Sequence, residues 1–221
     1  MQNAITCNAK AIFKMESHDY EGAFNLLRAS MLSLTGTLNS DNMKLPFPSN
    51  VQANEDSIVL ISSKFDQEVE HFYSGSFLFS LPTDPMSAAR LSHRQVDYCS
   101  AACLFNMALA CHLEFESSTD PEKRNKLLQQ SRILYLTAYQ LLQKYPIEPT
   151  DSIVLLLMAL CGNLMEIEME LGSVDDVRFW RRILEDASFA ADPLCFVGSS
   201  VYVFFDSVYI APGELVTAKA A

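Results

Sequence analysis

"LFNMALACHLEFESSTDPEKRNKLLQQSRILYLTAYQLL", residues 104–142, reads as two apolar helical stretches on either side of a polar break that carries a proline. Asp120 stands directly before Pro121. A carboxylate there can accept from the first free N–H groups of a helix, and a proline suits the first helical position because its fixed φ and missing N–H cost nothing. The second helix is expected to run to about Lys144, where "YPIEPTDS" stops it. Whether this hairpin stands alone or is one copy of a repeated unit decides the fold.

The flanking sequence answers by repetition. Upstream, "SHDYEGAFNLLRASMLSL" offers Ser17 and Asp19 as helix starts, followed by Tyr20, Ala23, Phe24, Leu27 and Met31 at three- and four-residue intervals. A further helix is expected before it, from about Ala4 to Glu16. Downstream, Asp151 or Ser152 caps a helix through Leu171, Gly172 ends it, and "SVDD" opens a helix carrying Phe179, Trp180, Ile183 and Leu184. Three antiparallel pairs result, over 3–34, 98–145 and 152–190.

Comparing the pairs exposes a common spacing. Ala11 precedes Ala23, Leu27 and Ser30; Ala108 precedes Ser131, Tyr135 and Ala138; Met165 precedes Val177, Arg181 and Leu184. In each second helix the residues are spaced four, then three. On these residues the chain resembles tetratricopeptide-repeat proteins, whose helix-turn-helix units of about 34 residues pack through a small first-helix residue against an alanine, a bulky residue and an alanine. The opening stretch is then one repeat with extra residues inserted at its turn. The third pair departs from the pattern at Met165, Val177 and Arg181, and Lys10 and Lys14 occupy usually apolar places in the first helix. The resemblance implies a mainly α fold: a TPR-like α-solenoid of about three units in a single domain, 1–221. The alternative is a generic bundle of antiparallel helices.

Residues 35–97 form a long insertion. "GTLNSDNMKLPFPSNVQANEDS" is expected to be a mobile surface loop, whereas "SIVLISS" and "HFYSGSFLFSLP" carry β-branched and aromatic residues between turn residues and are expected to form strands. They either pad one face of the array or form a flap over its groove. The C-terminal segment, 193–221, is expected to cap the array, as helix from Pro193 or strand around Val201 to Ile210.

Composition excludes several function classes. With 49% hydrophobic and 19% charged residues the chain has the makings of a sizeable core. A formal charge of −11 repels a phosphate backbone, so no nucleic-acid partner is expected. "SIVLLLMALCGNLM" is interrupted by Asn163 and followed by Glu166, Glu168 and Glu170, short of the roughly 18 apolar residues of a membrane span. With no basic and apolar leader at the N-terminus and six cysteines lacking CxxC spacing, an intracellular protein of the cytoplasm or nucleus is expected.

Chemical motifs are sparse. Cys99, Cys103, Cys111 and His112 share one helix and could offer zinc two ligands, but a tetrahedral site needs two more, and apolar packing explains these cysteines more simply. His18, His71, His93 and His112 belong to no catalytic pattern, and phosphate-cradle, zincin and serine-hydrolase signatures do not occur. No catalytic residue, cofactor or metal is expected.

In tetratricopeptide-repeat proteins the first helices line the inner wall, and the matching places here are Asn8, Ile12 and Met15, then Phe105, Leu109 and His112, then Gly162, Glu166 and Met169. The resemblance thus implies an interaction scaffold whose groove binds a peptide or amphipathic helix of a partner protein. Arg178, Arg181 and Arg182 form a secondary basic stripe, either neutralised by Glu166 and Glu170 or available to clamp an acidic segment. The alternative function is an enzyme or carrier of a small apolar ligand, with its pocket between the helices and the aromatic insertion.

Overall fold

The structure is a computed structural model describing residues 2–40, 59–63, 75–80, 92–147 and 153–190. Residues 41–57 of the insertion, the C-terminal segment with Cys195, the caps at Asp151 and Ser152, and His71 lie outside them, whereas residues 36–40, expected to open the surface loop, are helical and continue the second helix. Among the described residues six helices dominate: α1 (Gln2–Glu16), α2 (Tyr20–Ser40), α3 (His93–Ser117), α4 (Pro121–Leu142), α5 (Ile153–Leu171) and α6 (Val174–Ala190). Strands β1 (Val59–Ser63) and β2 (Ser76–Ser80) fall in the two insertion segments expected to be extended. They pair antiparallel, with Ser62 opposite Phe77 and Ile61 opposite Leu78. The elements fall into two compact units, α1 to α4 with the hairpin in one, α5 and α6 in the other.

Within the first unit each helix packs on the next in chain order, α1 on α2, α2 on α3 and α3 on α4, while β2 lies against α1 and α3. The small residues picked out by their spacing are the packing residues. Ala11, Ala23, Leu27 and Ser30 are fully buried in the first pair, as are Ala108, Ser131, Tyr135 and Ala138 in the second. Ser30 ties three helices together: its hydroxyl donates to the carbonyl of Ala4 at 2.8 Å and accepts from the Cys103 thiol at 3.4 Å.

The third pair corrects the spacing by one helical turn. Trp180, Leu184 and Ala187 form the buried stripe of α6, again spaced four then three, while Val177 and Arg181 are only half-buried. Burying an indole in place of a guanidinium accounts for the shift. The second pair differs from expectation in another way. Its turn is only residues 118–120, so the extra length extends α3 and α4 themselves instead of widening the turn.

The turns show why these helices end where they do. His18, at φ 59°, stands in the left-handed conformation after α1, and Asp19 N–H donates to Lys14 O at 2.9 Å. Gly172, at φ 73°, takes the same place after α5, and Ser173 N–H donates to Glu168 O at 2.9 Å. Both are six-to-one closures that satisfy a terminal carbonyl. Asp19 then caps α2 by accepting from Gly22 N–H at 2.9 Å, and a Cβ on Gly22 would meet that carboxylate at 2.5 Å. Asp120 caps α4 as expected, accepting from Glu122 N–H at 3.0 Å. Helix α3 starts with a reciprocal capping box between Ser92 and Gln95. At its far end the Arg124 guanidinium donates to Phe115 O and Ser118 O and lies 4.0 Å over the Phe115 ring.

Helix α3 is long and apolar enough to cross a membrane, but 89% of its most apolar stretch is buried in the protein. It is hydrophobic all round because α2, α4 and β2 surround it.

Candidate functional site

The first helices of the first two pairs, α1 and α3, meet β2 through a polar contact in an apolar setting. Asn106 of α3 faces the backbone of Phe77. Its Oδ1 accepts from Phe77 N–H at 2.8 Å, and its Nδ2 donates to Phe77 O at 2.8 Å. Asn8 of α1 donates from Nδ2 to the same carbonyl at 3.0 Å, and its Oδ1 accepts from Asn106 Nδ2 at 2.9 Å. Both asparagines are fully buried. In an extended strand the N–H and C=O of one residue point to the same side, so the carboxamide of Asn106 takes the part of a neighbouring strand on the edge of β2. Around it Phe77 and Phe79 are buried, and the Phe77 ring stands edge-on to Phe105 at 5.1 Å.

This arrangement corrects the expected open groove. Asn8, Ile12, Met15, Phe105, Leu109 and His112 are all buried. Ile12 and Met15 belong to a cluster with Ala11, Ala23, Leu27, Met107 and Ala110. Phe105 lies 5.3 Å from the Tyr135 ring of α4, and His112 lies 6.2 Å from Tyr135 and 6.1 Å from Phe115. The inner face they were expected to leave open is a packed interior, because β2 covers it and because the large first-helix side chains turn toward α2 and α4. Gly162, Glu166 and Met169, on α5 in the other unit, are partly exposed.

Burial sets the electrostatics of the site. Desolvation holds His112 neutral, with its pKa lowered to about 3. The thiols of Cys103 and Cys111 are pushed up to about 12 by the same cause, and those of Cys99 and Cys161 also rise. Among the described residues no group of three His, Cys, Asp or Glu side chains is placed to hold a metal ion. The arginine stripe meets carboxylates on its own helix: Arg178 pairs with Asp175 at 3.3 Å and Arg181 with Glu185 at 3.0 Å, while Arg182 is exposed.

Asn106 and Phe77 escaped the sequence reading. The signal available was an asparagine in the middle of each first helix, at Asn8, Asn106 and Asn163, and all three are fully buried. A lone carboxamide in an apolar helix needs hydrogen-bond partners there, which is a constraint legible without coordinates. Compared with protein-family models, curated proteins and solved structures, the chain matches none.

Proposed function

We propose that the chain is a non-catalytic, TPR-like scaffold that binds an extended segment of a partner protein. The observation that carries this reading is the grip of Asn8 and Asn106 on the main chain of Phe77. The wall made by successive first helices holds extended polypeptide through its backbone, and backbone recognition supplemented by side-chain pockets is how extended peptides are generally bound. The common four-then-three burial of the second helices and the matching closures at His18 and Gly172 support the repeat. The reading places the protein inside the cell, with a protein partner and with no cofactor or nucleic acid.

The test is cross-linking of the purified chain to proteins of a native extract, with the cross-linked residues mapped by mass spectrometry and the intact mass of the chain recorded alongside. Partner cross-links from α1, α3 and the hairpin support the scaffold. A retained small molecule with no protein partner replaces it with the ligand-carrier reading.

A further inference from the structure

We infer that β2 is a built-in occupant of a peptide site, and that the site's other ligand is an extended partner segment with aromatic side chains two residues apart, which displaces β2 from Asn8 and Asn106. This rests on the scaffold reading and names the ligand class and the state of the site.

Three observations carry it. First, the polar grip on Phe77 is entirely main-chain: Asn106 reads its N–H and C=O, and Asn8 shares the C=O. Any residue but proline presents those groups, so the clamp accepts a foreign strand as readily as β2. Secondly, selectivity lies in the ring pockets. Phe77 and Phe79 are buried on the same side of the strand, with Phe77 edge-on to Phe105, while Leu78 between them is half-buried and packs on the cluster that holds Ile12 and Met15. Alternate side chains of a strand face the same way, so the pattern recognised is aromatic, aliphatic, aromatic. Thirdly, β2 belongs to a two-stranded sheet, an element that is marginal without a surface to lie on. Its departure leaves the helix-on-helix packing of α1 to α4 in place and gives both asparagines to water, so no buried polar group is orphaned.

Because β2 is tethered, it competes at an effective concentration on the order of millimolar. An external segment therefore binds weakly to the resting chain and much more tightly once β2 is released.

The probe is a fluorescent synthetic peptide of residues 74–82, SGSFLFSLP. Its binding is measured by anisotropy to the full chain and to the Phe77→Ser/Phe79→Ser double variant, whose own β2 lacks the anchoring rings. The expected result is binding to the double variant at least tenfold tighter than to the native chain, lost again when Asn106→Leu is added. A double variant that keeps its helical circular dichroism and does not bind the peptide overturns the inference. A second measurement, on the native chain, covers a variant that fails to fold. Under native conditions the Phe77 amide must exchange with solvent at least tenfold faster than the central amides of α3, because β2 leaves without global unfolding. Exchange of Phe77 at the α3 rate makes β2 integral to the core and overturns the inference. A chain that captures partner proteins elsewhere while failing both measurements loses this inference but keeps the scaffold reading.

Discussion

At the scale of single residues, burial decides what each side chain is for. Leu109 occupies an expected groove position, yet it is fully buried in the all-apolar part of α3. Leu109→Glu should therefore unfold the first unit, destabilising it by more than about 4 kcal/mol, with loss of helical circular dichroism. His112 makes the same point through pH. Its folded pKa of about 3 lies below the ordinary value of 6.5, so the unfolded chain takes up the proton more readily. Stability is then insensitive to this group above pH 6.5 and falls as pH drops toward 3, by about 1.4 kcal/mol per pH unit at most. Denaturant titrations between pH 7 and 4 should show that slope flattened in His112→Gln, whatever that variant's stability at pH 7. A histidine in a first helix could be read from sequence as a polar contact for a ligand; its neighbours Phe115 and Tyr135 make it packing instead, and only one of them is close in sequence.

At the scale of elements, local chemistry was legible and facing was not. Asp19, Asp120, Pro121 and Gly172 act within a turn of themselves, so their sequence signals place the helix ends. The direction of α6 depends on what it packs against, and spacing alone put Arg181 where Trp180 and Leu184 belong. Gly172→Ala tests the local part. A Cβ there meets nothing within 4 Å, so the whole penalty is the left-handed backbone, about 1 kcal/mol of lost stability by chemical denaturation. The thiols test the packing of α3 and α5. Cys99, Cys103, Cys111 and Cys161 are buried, with their thiols held protonated, whereas Cys7 on α1 is partly exposed. Labelling of the native protein followed by peptide mass analysis should modify Cys7 before these four and reach them only on unfolding.

At the scale of the whole molecule, three helical pairs and an extended insertion were readable because each pair carries its own periodicity and caps. The use of the insertion was not readable. What joins β2 to the helices is the carboxamide of Asn106 and the main chain of Phe77, and a main-chain contact leaves no trace in residue identity. Asn8 and Phe105, two of the positions expected to line an open groove, meet the strand instead. Arg178 and Arg181 of α6 meet Asp175 and Glu185 of their own helix.

The bond between Asn8 and Asn106 joins residues 98 positions apart. On a ribosome that distance is time. At about 5–20 residues per second, α1 waits some 5–20 seconds between its own appearance and that of its partner asparagine. Throughout that wait Ile12, Met15 and Leu27 have no α3 to cover them, and the 15-residue α1 is short enough to be marginal in water. The nascent first hairpin is therefore a client for whatever shields apolar surface at the exit tunnel. A stalled chain with residues 1–40 outside the tunnel should be cleaved readily within α1 and α2 by a protease, and one with residues 1–147 outside should resist cleavage in those two helices.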